Sequence, residues 1–224
     1  MKLKKRQLIF LVLLIIGTIY VARTNDKAPN AQTQKFSERI FGTVMNITYT
    51  HTEDLHDTIM TCLRGVDASL SMFNPNSTIS RINRGETDTL DKHLTEILPM
   101  ALSISEATSG AFDITVAPLV NAWGFGFDPS NDKKWLSAAE IDSIKQFVGY
   151  KKVWIEDSVL VKADPRVRLD ASAIAKGYGC DLVAEYLRAK GCRNFMVDIG
   201  GELVVSGVNP NGKKWRVGVS KPEN

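Results

Sequence analysis

One stretch of this 224-residue chain puts residue types that chemistry needs at close spacing: Asp170-Ala171-Ser172-Ala173-Ile174-Ala175-Lys176-Gly177-Tyr178-Gly179. Small residues let backbone N–H and C=O groups come close to a ligand. A helix start favours anionic groups such as a diphosphate. The acid and the lysine add one group of each sign at the same turn. This is the composition of a nucleotide-phosphate or metal–phosphate site. It is also that of an ordinary strand-to-helix turn whose small residues serve only close packing.

Three further clusters carry polar handles beside aromatic rings or glycines. Residues 109–126 pack Gly, Pro and aromatic residues around Asp113 and Thr115. Trp123, Phe125 and Phe127 there offer flat faces that suit a planar ring, or form an aromatic corner of the core. Residues 69–77 set Phe73 beside a polar turn. Asp198-Ile199-Gly200-Gly201-Glu202 puts a glycine pair between strands, which permits a bulge, a close ligand approach or a plain turn. Cys62, Cys180 and Cys192 show neither metal-ligand spacing nor a Cys-x-x-Cys pair, and leave one disulfide of open pairing permitted. His51, His56 and His93 sit in polar surroundings and read as surface residues.

These groups need a frame. Residues 40–49 alternate and are rich in β-branched types, which predicts a strand. Leu55, Ile59, Cys62, Leu63, Val66 and Leu70 share one helical face. Asn74-Pro75-Asn76 breaks that helix, and Ser77 caps a short one ending near Asn83. Leu94, Ile97, Leu98, Ala101 and Leu102 mark another helix, and Ser137 with Glu140 forms a capping box for a helix ending near Val148. Residues 153–155 and 159–161 read as a hairpin around Asp157-Ser158. A strand-like Val167–Leu169 feeds the Asp170 helix, which runs to about Lys190, with Gly191 as its C-cap residue. Strands follow at 195–199 and 202–205, and a last one at 215–219. Strands mixed with helices without strict alternation predict an α+β fold of mixed sheets with packed helices.

Charge separates the N-terminus from the rest. Lys2, Lys4, Lys5 and Arg6 precede an apolar run from Leu8 to Ala22, the pattern of an export signal. Without those four, 24 basic residues face 25 acidic ones, so no basic stripe tracks nucleic acid. The expected organisation is a signal anchor or signal peptide over 1–23, a polar tether over 24–35 and a domain over 36–224. The basic flank places the body on the extracytoplasmic side of the inner membrane, in the periplasm.

In order and wording the clusters resemble the FAD:protein FMN transferase family, the ApbE-type flavin transferases. The matching segments are Gly42-Thr43-Val44-Met45; Ser71-Met72-Phe73 with Ser77 and Asn83; Ala111-Phe112-Asp113-Ile114-Thr115 with Pro118-Leu119-Val120 and Trp123-Gly124-Phe125-Gly126; Asp170 to Gly177; Asp198 to Glu202; and Trp215. The resemblance implies a T-fold-like architecture and Mg2+-dependent transfer of FMN from FAD to a Thr or Ser of an exported FMN-binding acceptor flavoprotein, with release of AMP. It implies FAD contacts from Met45, Phe73, Ala111, Phe112, Asp113, Asp170 and Lys176, a catalytic role for Asp170, and Mg2+ on the backbone carbonyl of Ala173. Phe73 stands where the family often has Tyr, so ring stacking survives and a phenolic hydrogen bond does not. The family pattern continues into a further C-terminal third with a His-containing segment and an Asp and Thr that complete the metal site, so the chain reads as incomplete at its C-terminus. An extracytoplasmic FAD carrier without turnover and an FAD pyrophosphatase are the alternative functions.

Overall fold

The computed structural model describes residues 11–18, 31–126 and 135–219. Residues 11–18 form a short helix, α1, inside the apolar run. No helix among the described residues is long and apolar enough to cross a membrane; most of the predicted N-terminal membrane segment, and Phe127, lie outside those residues.

An antiparallel sheet of order β1-β2-β5-β6 carries the body: β1 Gln32–Ile40, β2 Thr43–His51, β5 Phe195–Ile199 and β6 Glu202–Ser206. Strand β1 begins inside the stretch read as a tether, and its polar sequence gave no apolar run to announce it. A two-residue turn, Phe41-Gly42, joins β1 to β2 with both residues at positive φ (52° and 72°), the hand that matches strand twist. Period-two alternation turns Met45, Ile47 and Tyr49 to one face, opposite Ile199, Val197 and Phe195. All six are at most 1% exposed and lie under helices α2 (His56–Leu70) and α7 (Ala175–Ala189).

A second core gathers the C-terminal turns of α2 with α3 (Thr78–Arg84), α4 (Lys92–Ala107) and the hairpin β3 (Val153–Glu156) to β4 (Val159–Lys162). Ser77 caps α3 by accepting from the Ser80 N–H, and Ser137 with Glu140 makes the reciprocal capping box of α6 (Ala138–Lys145). Helix α5 spans Ala117–Ala122. Phe41 packs against both cores, so the β1–β2 turn sits at their seam.

Three expectations change. Val167–Leu169 forms no strand, and the helix after it starts at Ala175, because residues 172–174 fold as a turn. Residues 215–219 join no strand; the only pairing near them among the described residues is the Val208–Lys214 bridge. The three histidines are half-buried and partnered: His51 to the Lys190 carbonyl, His56 to Glu38 and Asp57, and His93 to the Tyr178 hydroxyl. The fold is α+β, and all three cysteines are free thiols.

Candidate active site

Where the seam between the cores opens, a cavity of 320 Å³ lies between the C-terminal end of α2 and the N-terminal end of α7. Phe41, Met72, Phe73, Ser172 and Lys176 line it with Leu70, Ser71 and Ala175. Phe73 is 69% exposed, so its ring offers an open face. Burial of the neighbouring Met72 fixes the loop that carries it. Ser77 and Ser80 fasten that loop from α3, each donating its hydroxyl to the Ser71 carbonyl, at 2.6 and 3.3 Å.

The opposite wall is the turn that precedes α7. The Asp170 N–H donates to the Ile114 carbonyl at 2.7 Å, and Asp170 Oδ1 accepts from the Ser172 N–H at 2.8 Å, a local Asx turn. Asp170 Oδ2 has no hydrogen-bond partner among the described residues. The N-cap residue of α7 is Ile174, and no side chain caps the helix. The Ile174 and Ala175 N–H groups both donate to the Ala171 carbonyl, while those of Lys176 and Gly177 meet no backbone acceptor. Unpaired N–H groups at a helix start, beside a lysine, favour a phosphate. A side chain added at Gly177 would meet nothing within 4 Å, so its smallness leaves room rather than serving packing. Gly179 is the tight position: a Cβ there would come within 3.0 Å of the Phe41 ring and 3.3 Å of Leu63.

Lys176 rests 3.5 Å from Glu202 at the start of β6, a half-exposed pair that aims the ammonium without locking it. Two residues on, Tyr178 fastens α7 to α4. Its hydroxyl donates to Glu96 and meets His93 Nδ1 at 2.9 Å. The phenol has one proton to give, so His93 Nδ1 supplies the proton of the second bond. Burial first, then the Glu96 carboxylate, holds the phenol protonated well above its usual range.

The sequence-predicted residues divide accordingly. Phe73 and Lys176 share the cavity, and Asp170 and Ala173 lie in the turn at its edge. The Asp170–Ile114 hydrogen bond brings the 111–113 segment alongside, with Ala111 exposed and Phe112 half-buried. Asp113 is bound internally: its carboxylate accepts from the Thr115 N–H (2.8 Å), the Thr115 hydroxyl (2.6 Å) and the Tyr150 N–H (2.8 Å). Met45 has no exposed surface and faces the sheet core. Sequence reasoning placed Asn83 within a motif but gave it no role. Its buried amide accepts from the Leu169 N–H and donates to the Leu169 carbonyl, both at 2.8 Å. A polar residue one turn after Ile79, on the face that buries Ile79 and Ile82, was the available signal.

A sequence model described as the ApbE family matches residues 41–224. The chain belongs to the ApbE family. It is 33% identical over 227 residues to a curated FAD:protein FMN transferase of Haemophilus influenzae, covering 93% of this chain and 65% of that protein. It is 35% identical over 190 residues to the FAD:protein FMN transferase of Vibrio cholerae, covering 81% of this chain and 57% of that one. Among solved structures it matches the flavin transferase ApbE from Vibrio cholerae with a TM-score of 0.80 at 33% identity, over 86% of this chain and 65% of that chain. The ApbE protein from Thermotoga maritima matches with a TM-score of 0.76 at 25% identity, over 86% of this chain and 65% of that one. The chain therefore spans less than two thirds of the length of these relatives.

The ApbE match calls for a test of Mg2+ against the donors present. Among the described residues no group of three or more His, Cys, Asp or Glu could hold a metal. The turn does fit one ligand. Ala173 is exposed, and its carbonyl accepts no backbone hydrogen bond. Mg2+ characteristically uses few protein oxygens and completes its shell with phosphates and water.

Proposed function

We propose that this protein transfers FMN from FAD to a Thr or Ser hydroxyl of an exported FMN-binding acceptor protein, using Mg2+ and releasing AMP. The observation that carries the reading is the arrangement around the cavity: a ring face, an ammonium, unpaired helix N–H groups and a half-free carboxylate around one opening. Phe73 stacks on the flavin. Lys176 and the start of α7 bind the diphosphate. The acceptor oxygen bonds to the phosphorus of the FMN part, and the bond from that phosphorus to the oxygen that leaves with AMP breaks. Asp170 Oδ2 takes the hydroxyl proton. The Ala173 carbonyl would be one ligand of a bound Mg2+, which would neutralise charge that builds on the phosphate oxygens. Ala111 and Phe112 border the FAD, and Asp113 holds their loop. The N-terminal run keeps the body at the membrane, on the periplasmic side with the acceptor.

Titration of FAD against the full chain, read by flavin fluorescence, tests the binding half. Lys176→Ala should weaken binding about tenfold, the scale of one charge-assisted hydrogen bond. Asp170→Asn should keep the fold and lose at least that factor in transfer. Unchanged binding in the first variant and unchanged transfer in the second would remove the site assignment.

A further inference from the structure

The cavity has two walls that come from distant parts of the chain, and one side chain touches the backing of both. Asn83 lies in the last turn of α3, 5% exposed. Its Oδ1 accepts from the Leu169 N–H at 2.8 Å. Its Nδ2 donates to the Leu169 carbonyl at 2.8 Å and reaches Met72 Sδ at 4.0 Å. Leu169 immediately precedes Asp170, and Met72 immediately precedes Phe73. The segment at 167–169 has no sheet neighbour, so the amide takes the place of a strand for one residue. The Asp170 N–H is then held by Ile114, so two successive residues are fixed from outside the turn.

We infer that Asn83 is a positioning residue for transfer: it sets the height of the Asp170–Ala173 turn against the Phe73 loop. The inference rests on the transferase reading. Asn83 itself does not line that cavity and acts through Leu169 and Met72. Its helix is placed for the task at both ends: Ser77 caps the start, and Gly85, at φ 74°, closes the end one residue beyond Arg84. Asparagine is a mediocre helix former, so its presence in a seven-residue helix brings no local advantage.

A reacting group misplaced by about 1 Å costs on the order of 100-fold in rate. The test compares wild type, Asn83→Ala and Val197→Ala, at a temperature where circular dichroism shows all three folded. Val197 is fully buried in the sheet core and serves as a control for lost stability alone. With FAD, Mg2+ and an FMN-binding acceptor domain, Asn83→Ala should lose about 100-fold in kcat with FAD KM changed less than threefold. Val197→Ala should keep the wild-type kcat per folded molecule. Independently of activity, amide exchange should speed up at residues 169–172 in Asn83→Ala, while α7 stays protected. If Asn83→Ala does not fold, Asn83→Asp is read in the same way, since it keeps the acceptor and loses the donor. Retained kcat with unchanged exchange at 169–172, or losses in both variants that track only stability, would overturn the inference. An inactive wild type would overturn the transferase reading and the inference with it; an active wild type with an equally active Asn83 variant overturns the inference alone.

Discussion

Gly177 and Asp113 show how far a residue's type and its job can separate. Both look like ligand residues in the sequence, yet only Gly177 leaves open space beside the cavity. Gly177→Ala should therefore raise stability by about 0.5–1 kcal/mol, because a helical glycine wastes chain entropy. The same variant should weaken FAD binding, since the added methyl occupies space at the helix start. Thermal melts and flavin titration check the two halves, and a stabilised variant with full affinity would show that no phosphate lies there. Asp113 acts within the fold. Asp113→Ala strands the Tyr150 N–H and the Thr115 groups and should cost about 1–3 kcal/mol in chemical denaturation. A change within experimental error would show that these groups find other partners. Local composition made a turn at Asp170 legible, because an acid followed by small residues suits the passage into a helix; the Asx hydrogen bond within it came from the structure. The Asn83 clamp was illegible, because its partner lies 86 residues away.

At the scale of elements, α2, α3, α4, α6 and α7 were read from apolar spacing and capping residues, both local signals, while the six-residue α5 was not. Ser77 and Ser137 cap where the sequence put them. Strand β1 was missed because Gln32 to Glu38 carries mostly polar side chains on an edge strand, whose burial depends on β2 and α2. One of its side chains has a pH signature. Glu38 meets His56 Nε2 at 2.6 Å, and Asp57 meets Nδ1 at 3.0 Å, tying β1 to α2. The hydrogen bonds to Asp57 and then Glu38 raise the His56 pKa above its ordinary 6.5. A raised histidine contributes stability that is fully present below pH 6.5 and lost as pH rises through the folded value. Glu38 is half-exposed and Asp57 fully exposed, so the effect stays below about 1 kcal/mol. Melting temperature against pH should fall more steeply above 6.5 in wild type than in His56→Gln. Parallel profiles would show that the pair contributes nothing.

Across the whole molecule, the site is a product of assembly. Two cores meet along α2 and α7, and Phe41, from the β1–β2 turn, packs at their seam. Only there do Phe73 and Lys176, about a hundred residues apart in sequence, line one cavity. Motif order made that convergence readable through resemblance; composition and periodicity alone left each cluster divided between packing and binding. The thiols follow the same architecture. Burial pushes the Cys180 thiol up to about 12 and raises that of Cys192, while Cys62 is half-exposed. A thiol reagent at neutral pH should therefore modify Cys62 well before the other two, as peptide mapping would show; even labelling would mean that the cores open readily.

The central claim is covalent transfer. The most direct measurement is the intact mass of an exported FMN-binding acceptor domain after incubation with this protein, FAD and Mg2+. A mass increase equal to one FMN phosphoester is expected, absent when Mg2+ is chelated and lost with Asp170→Asn. An acceptor of unchanged mass while the protein holds FAD tightly would contradict it.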